Sequence, residues 1–269
     1  MKTHLNKALT AVILFLLPSM IFGQAPYLGA ATSFALFTSA GAFNNTGPST
    51  VVTGDVGNYT GAFNAFPPGT LLGQKHVADA IAAQAASNVL AAYNYLSGLN
   101  CGSVLGPTLG NGQTLGPKIY CLGGASTLNG NLILDGQNNP NALFIFQVNG
   151  AFATGTFATV SLINSASLCN VYWQINGEFD LGDGSVFRGT IISDGAIHLL
   201  GTTTLLGRAL STAGAISLEN STVTLGCSTV PNGTIPTMTQ WGLIILAVLL
   251  LGVGTIYIVR RKQNSIPIT

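Results

Sequence analysis

The chain has 269 residues, of which 48% are hydrophobic and only 6% are charged. Basic residues concentrate at the two ends, so residues 24–234 hold four basic and eight acidic side chains and carry a net charge of −4. This body lacks the clustered lysines and arginines that bind phosphate backbones, which argues against a nucleic-acid partner and favours a neutral one, water included.

Residues 1–23 have the pattern of an export signal. Two lysines precede the apolar residues 8–17, and small residues follow at Gly23 and Ala25. The pattern predicts export with cleavage after Gly23, and Ala25 is the alternative position. An uncleaved anchor is the other interpretation, although the apolar stretch is short for a membrane span.

An alanine-rich segment predicts one long α-helix over residues 77–96, ending before Gly98. Its apolar residues recur at helical spacing, so we expect them to cover one flank of the remaining body. These residues are Val77, Ile81, Ala85, Val89, Ala92 and Leu96.

Four cysteines lie in the body, and an even number in an exported chain favours two disulfides. Three connectivities are possible, and we favour Cys101–Cys121 by proximity and Cys169–Cys227 as a link across the last coils. The first pair encloses a glycine- and proline-rich segment that we expect to cap one end of the fold. No Cys-x-x-Cys or Cys/His grouping indicates zinc, so no metal site is predicted.

Internal repeats predict a stack of coils. Residues 144–150 resemble residues 171–177, with weaker copies at 190–195 and 209–214. Glycines at positions 130, 150, 177, 195 and 214 are separated by 20, 27, 18 and 19 residues. Steps of 18 to 20 residues suit one turn of a three-faced parallel β-helix, and the step of 27 predicts a loop over residues 163–170.

Charged residues in one repeat raise the alternative of an enzyme. Alternation places Phe179 and Leu181 inside, with Glu178 and Asp180 outside. Together with Asp183, these carboxylates could cleave a polysaccharide as acid and base, but a solvated strand face explains them more simply. The stretch around Asp183 has too few oxygen ligands for calcium.

The two histidines of the body, His76 and His198, lack a nucleophile partner in any recognisable setting. We therefore predict no catalytic residues, no metal and no cofactor, and we do not expect an enzyme.

The C-terminal segment has three parts. Residues 235–238 read Ile-Pro-Thr-Met, residues 242–259 are free of charge behind Trp241, and residues 260–262 are basic. The segment resembles bacterial IPTL-type C-terminal sorting signals, with Met238 in place of leucine. The resemblance implies a transmembrane helix over residues 242–259 and retention or processing at the cell envelope. Residues 228–234 are then a linker and residues 263–269 a tail; a plain single-pass anchor is the alternative.

Several stretches of the body resemble one family, the microbial ice-binding proteins, over about residues 28–227. The stretches are residues 33–42, 45–49, 53–57, 66–70, 128–132, 143–147 and 186–191. The resemblance implies a mostly β fold, a discontinuous right-handed parallel β-helix with a long α-helix alongside. It also implies that N-terminal residues complete the β-helix beside the C-terminal coils.

The same resemblance implies binding of ice by a flat face of Thr-Ala/Gly-x-Thr/Asn motifs, whose methyls and hydroxyls order water. Hydroxyl residues collect six to ten positions after the repeat glycines, whereas Asp183 puts a carboxylate where threonine would be wanted. The candidate ice-binding residues are Thr154, Thr156, Thr159, Ser185, Thr202, Thr203, Thr204, Ser221, Thr222 and Thr224.

We therefore expect an exported, envelope-associated protein with modest ice binding or ice adhesion. The alternative is a cell-surface adhesin or structural module that binds a glycan or another surface.

Overall fold

The computed structural model describes residues 24–227 and, further along the chain, Ile245, Val248, Leu251 and Gly252. The chain divides into two units, Met1–Cys227 and Ser228–Thr269. The predicted export signal, the linker, the tail and most of residues 235–262 lie outside the described residues. Within the described part of the chain, no helix is long and apolar enough to cross a membrane.

Short parallel strands wind through three faces, and each turn of the chain adds one strand to each face. The segments are short, rich in β-branched and aromatic residues, and separated by glycine and asparagine, which suits strands joined by tight corners. The predicted three-faced, mostly β architecture of parallel strands is therefore confirmed.

The helix-covered face carries the longest strands. It consists of β1 (Phe34–Ala40), β4 (Asp55–Thr60), β7 (Lys75–Val77), β8 (Ser103–Leu105), β11 (Lys118–Leu122), β14 (Phe144–Val148), β17 (Val171–Ile175) and the second halves of β19 (Val186–Ser193) and β21 (Thr204–Ser211). β19 and β21 run through a corner without a break, so one strand serves two faces.

The mixed face, named for its mixture of small, polar and charged residues, forms a separate sheet of eight strands. It consists of β2 (Phe43–Asn45), β5 (Phe63–Asn64), β9 (Thr108–Gly110), β12 (Ser126–Asn129), β15 (Phe152–Thr154), β18 (Phe179–Leu181), β20 (Ile197–Leu199) and β22 (Ile216–Leu218).

The threonine face completes each coil. It consists of β3 (Val51–Thr53), β6 (Thr70–Leu72), β10 (Gln113–Leu115), β13 (Asn131–Asp135), β16 (Thr159–Ile163), the first halves of β19 and β21, and β23 (Thr222–Thr224).

The stacking order of the coils differs from their order in the chain. β1, β2 and β3 pair with β21, β22 and β23, so the first coil in the chain lies on the last. β4, β5 and β6 then add one more coil beyond it. This arrangement confirms the discontinuous β-helix that the family resemblance implied.

Glycines form a column at the corner before the mixed face. A Cβ on Gly177, Gly195 or Gly214 would lie within 3.0 Å of backbone atoms of the preceding coil, so a side chain has no room there. The column continues through Gly41 in the N-terminal coil. Gly130 is different, because it lies beside Asn111 at another corner. The predicted spacing of one glycine per coil is therefore correct from Gly150 onward and wrong at Gly130.

The step of 27 residues between Gly150 and Gly177 contains the expected loop. β16 ends at Ile163, and a short 3₁₀ helix, Leu168–Asn170, leads into β17.

Aromatic rings stack along the inside of the coils. Phe146 lies 3.9 Å from Trp173 between ring centroids, and Trp173 lies 4.9 Å from Phe187. Phe152 and Phe179 continue the stack inside the mixed face. These side chains are at most 1% exposed, so they supply a core that no single coil could bury alone.

The single long helix of the described residues, α1 (Ala80–Ser97), packs on the helix-covered face. Its N-cap, Asp79, accepts a hydrogen bond of 2.7 Å from the amide of Ala82, and its C-cap is Gly98. The buried stripe begins with small alanine side chains, which let this end of the helix lie close to the sheet. It comprises Ala82, Ala85, Val89, Ala92 and Leu96.

The predicted helix was right in type and in its last residues but began too early. Val77 is the last residue of β7 and is exposed. Ile81 is also exposed, because the buried stripe of the helix begins at the next residue, Ala82. On the sheet beneath the helix, Gln147 of β14 donates to the carbonyls of Leu96 and Leu99 at 2.6 and 2.9 Å. These hydrogen bonds hold the end of the helix on β14.

Both disulfides match the favoured pairing, Cys101–Cys121 and Cys169–Cys227. The segment inside the first pair is more regular than expected, because it forms β8, β9 and β10. It does lie at one end of the stack, where β8 and β9 are the outermost strands of their paths.

Candidate functional site

Two columns of side chains point outward from the threonine face, because alternate residues of each strand face away from the core. Strand register aligns the members of each column from one coil to the next. In stacking order, column one is Asn131, Thr159, Val186, Thr204, Thr222, Val51 and Thr70. Column two is Thr114, Ile133, Ser161, Arg188, Leu206, Thr224, Thr53 and Leu72.

Column one is built almost entirely of β-branched residues. From Thr159 to Thr70, every member is threonine or valine. Their stiff side chains hold methyl groups at a repeat set by the strand spacing of about 4.8 Å. Four predicted residues lie in the two columns: Thr159, Thr204, Thr222 and Thr224.

Arg188 is the one charged side chain in these two columns. It is only partly exposed, its guanidinium donates to the carbonyl of Val160, and burial lowers its pKa below the ordinary value of an arginine. The columns otherwise present neutral hydroxyl, amide and aliphatic groups.

Four predicted residues do not reach the surface. Thr154, Ser185, Thr203 and Ser221 are at most 8% exposed. Residues 185, 203 and 221 directly precede members of column one, and strand alternation turns them inward. The prediction that these four hydroxyls contact a partner is therefore wrong.

The inward hydroxyls link successive coils at the corner between the mixed and threonine faces. Thr203 Oγ1 lies 3.1 Å from Ser221 Oγ and donates to the carbonyl of Leu200 at 3.0 Å. Ser185 donates to the carbonyl of Gly155 at 2.9 Å and accepts from the amide of Ala158 at 3.1 Å. Sequence reasoning recognised the hydroxyls but missed this structural role.

The remaining predicted residues, Thr156 and Thr202, are exposed at the same corner. Phe157 stands beside Thr156 and is 76% exposed, with a positive φ of 56°. Asp183 is exposed one coil away. This corner is therefore less uniform than the strands it leads into.

The mixed face has a different outward column. Its members, in stacking order, are Thr108, Thr127, Ala153, Asp180, His198, Ser217, Asn44 and Asn64. Glu178 Oε1 lies 2.7 Å from His198 Nε2. Asp180 adjoins both, and its pKa is raised mainly by burial and further by Glu178, while His198 opposes the rise.

The three ionisable groups of the mixed face offer ligand atoms within 4.8 Å of one another. They place charge at the middle of that face, on β18 and β20.

The middle of the helix-covered face is covered by α1. The outward side chains beneath the helix, among them Ile145, Ile192 and Leu210, are buried against it. A groove of about 810 Å³ opens near the end of α1, between Leu99 and Leu143. Lys118 is the one ionisable group in its lining, so the groove does not contain an acid–base pair.

The match to a family model covers residues 37–224, and the model describes ice-binding-like proteins. An ice-binding protein of Nostoc sp. (strain HG1) is 36% identical over 207 residues, which are 76% of each chain.

Two solved structures are similar in fold. The crystal structure of an ice-binding protein from an Antarctic bacterium of the Flavobacteriaceae has a TM-score of 0.73 and 40% identity, over 79% of this chain and 49% of that one. An ice-binding protein from the Antarctic ascomycete Antarctomyces psychrotrophicus also has a TM-score of 0.73, with 30% identity over 76% of this chain and 100% of that one. The family match runs from β1 to β23 and so includes every complete coil.

Proposed function

The chain belongs to the ice-binding-like family, and we propose that it binds ice through the threonine face. The observation that carries this assignment is the outward composition of the three faces. α1 covers one face, and a cluster of two carboxylates and a histidine occupies the middle of the second. The threonine face is exposed and has one charge in its two columns, on Arg188, and a second at the end of β13, on Asp135.

The mechanism follows from a rigid backbone. Parallel ladders hold each coil about 4.8 Å from the next, and the β-branched side chains of column one have few rotamers. Methyl groups and hydroxyls are therefore presented in fixed rows. Water over such a surface can take up a regular arrangement and join the ice lattice, whereas a charged group would orient water around itself.

Thermal hysteresis of the purified chain tests the assignment. Thr222 is an exposed member of column one, and tyrosine suits an exposed strand position while adding a ring that breaks the rows. We expect Thr222→Tyr to lose most of the activity, with circular dichroism and melting temperature unchanged.

Ser217 supplies the matched control, because it points outward from β22 of the same coil on the mixed face. Ser217→Tyr should keep full thermal hysteresis. Loss of activity in Ser217→Tyr with retention in Thr222→Tyr would move the ice-binding surface to the mixed face.

Ice binding by an exported, envelope-associated chain is ice adhesion, and the sequence of residues 235–262 supports such a location. We propose that residues 242–259 retain the protein at the envelope. Fractionation of cells into membrane and soluble material, with and without residues 235–269, tests this proposal. Equal recovery in the soluble fraction would contradict it. The family membership favours ice over a glycan as the partner, and Glu178 and Asp180 are assigned no catalytic role.

A further inference from the structure

The threonine face is not uniform along the stack. Phe157, at the corner before β16, reaches across to the next coil: a Cβ added to Gly184 would lie 2.4 Å from Cε1 of its ring. The glycine leaves the space that the ring fills. At 76% exposure, this ring is the largest side chain to rise beside column one at this corner.

Two charges lie on the coil that this ring reaches. Asp183 is exposed and accepts, through its backbone carbonyl, a hydrogen bond of 2.9 Å from the amide of Phe157. Arg188 points outward from the adjoining strand, β19. A ring, a carboxylate and a guanidinium thus interrupt the face at the coils of β16 and β19.

Beyond β19 no aromatic ring or guanidinium interrupts the two columns. The strands β21, β23, β3 and β6 stack in that order, and none of their outward residues on this face is charged; the exposed carboxylate of Glu219 lies at the corner before β23, outside the two columns. Column one contributes Thr204, Thr222, Val51 and Thr70, and column two contributes Leu206, Thr224, Thr53 and Leu72.

This uninterrupted part crosses the break in the chain. β23 is the last described strand and β3 is one of the first, yet Thr222 pairs with Val51 and Thr224 with Thr53. Half of the smooth surface therefore comes from each end of the body.

Resting on the ice-binding function proposed above, we propose that ice is contacted only by the four coils of β21, β23, β3 and β6. Phe157 and Asp183 form the boundary of this patch. The patch exists only when the N-terminal coils are seated on the C-terminal one, so ice binding depends on closure of the discontinuous β-helix.

A tyrosine scan of column one tests the boundary by thermal hysteresis of the purified chain. Thr204→Tyr, Thr222→Tyr, Val51→Tyr and Thr70→Tyr should each lose more than half of the activity. Thr159→Tyr and Asn131→Tyr lie in the same column but outside the patch, and they should retain it. Circular dichroism and melting temperature establish that each variant is folded.

The outcomes separate this inference from the proposed function. Equal losses at all six positions would keep the threonine face as the site and overturn the boundary. Retention of activity in all six variants would overturn the face itself.

The double variant Phe157→Gly with Asp183→Thr tests the boundary residues directly. Glycine suits the positive φ of position 157, and threonine replaces the charge. We expect higher thermal hysteresis, and we expect Thr159→Tyr to reduce activity in this background although it does not in the parent chain. Insensitivity to Thr159→Tyr in the double variant would contradict the boundary.

Discussion

Neighbouring hydroxyl residues have opposite roles in this protein. Thr203 is buried and its hydroxyl is hydrogen-bonded to that of Ser221 in the next coil, whereas Thr204 points outward in column one. Ser221 and Thr222 form a second such pair. Side chains alternate between the two sides of a strand, so one position decides whether a hydroxyl stabilises the corner or meets the solvent.

The pair formed by Thr203 and Thr204 gives a prediction with opposite readouts. Thr203→Val removes hydrogen bonds to Ser221 and to the carbonyl of Leu200, which should lower the free energy of unfolding by about 1 kcal/mol. Ice activity should be unchanged. Thr204→Tyr, the matched variant, should reduce thermal hysteresis without loss of stability in denaturant titration. A loss of ice activity without destabilisation in Thr203→Val would contradict the inward assignment.

The carboxyl of Asp180 gives a prediction about pH. Its pKa is raised from the ordinary value of 3.8, mainly by burial, so the folded state binds the proton more tightly than the unfolded state. Its contribution to stability therefore falls as pH rises above 3.8 and through the folded pKa. Asp180→Asn should melt at a higher temperature than the parent at neutral pH, and the difference should vanish in acid. Asp183→Asn is the control at an exposed carboxyl; a pH-independent difference in Asp180→Asn would contradict the argument.

At the scale of elements, α1 determines which faces are free. Its stripe from Ala82 to Leu96 buries the helix-covered face, and Asn88 accepts a hydrogen bond of 2.9 Å from the amide of Ala30. The helix is also tied at its beginning, where His76 Nδ1 lies 2.8 Å from the N-cap Asp79. Because the helix covers the middle of one face, the other two are the faces open to a flat partner.

The N-cap of α1 can be tested by substitution. Asp79→Ala should lower the free energy of unfolding by about 1 kcal/mol, while Asp79→Asn, which can still accept from Ala82, should lose much less. The Ala82 amide, more than His76, lowers the pKa of Asp79 below 3.8. The stabilisation that the Asp79 carboxylate provides is therefore fully present above pH 3.8 and is lost as the pH falls through the pKa of the folded state. Equal losses in both variants at neutral pH would contradict the capping role.

At the scale of the whole molecule, the two ends of the body are held in one stack. β1, β2 and β3 seat on β21, β22 and β23, and the proposed ice patch lies across that junction. Cys227 follows β23 closely and is linked to Cys169, in the loop before β17. The disulfide therefore restrains the last coil on which the N-terminal coils rest.

Removal of this link tests its contribution to the stack. The bond closes a loop with a sequence separation of 58, for which chain entropy gives about 4 kcal/mol of stabilisation. In the double variant Cys169→Ser with Cys227→Ser, the free energy of unfolding measured in denaturant should fall by up to that amount. When the protein is heated before the assay, the variant should lose thermal hysteresis at a lower temperature than the parent chain. The pair Cys101→Ser with Cys121→Ser, at the far end, is the control and should leave the ice patch intact. Equal loss of ice activity in both pairs would contradict a local role for Cys169–Cys227.

Local regularities in the sequence were sufficient to predict the coil, the long helix and the inward apolar positions. Alternation around Phe179 and Leu181, the glycine spacing after Gly150 and the helical stripe depend on residues near one another in the chain. Periodic burial needs no knowledge of distant segments, which is why these features were confirmed. The resemblance to a family added the joining of the two ends of the body, which no local pattern contains.

The tertiary structure decided which hydroxyls are outside. Corner lengths vary between coils, so counting from a glycine mixed the buried Thr203 and Ser221 with the outward Thr204 and Thr222. Only the register between strands separates them, and it also brings Val51 and Thr70 into the same column. Those pairings join residues far apart in sequence through backbone hydrogen bonds, which carry no signature in the residues themselves. The sequence by itself therefore determined a coil of stacked strands, and the folded chain determined its surface.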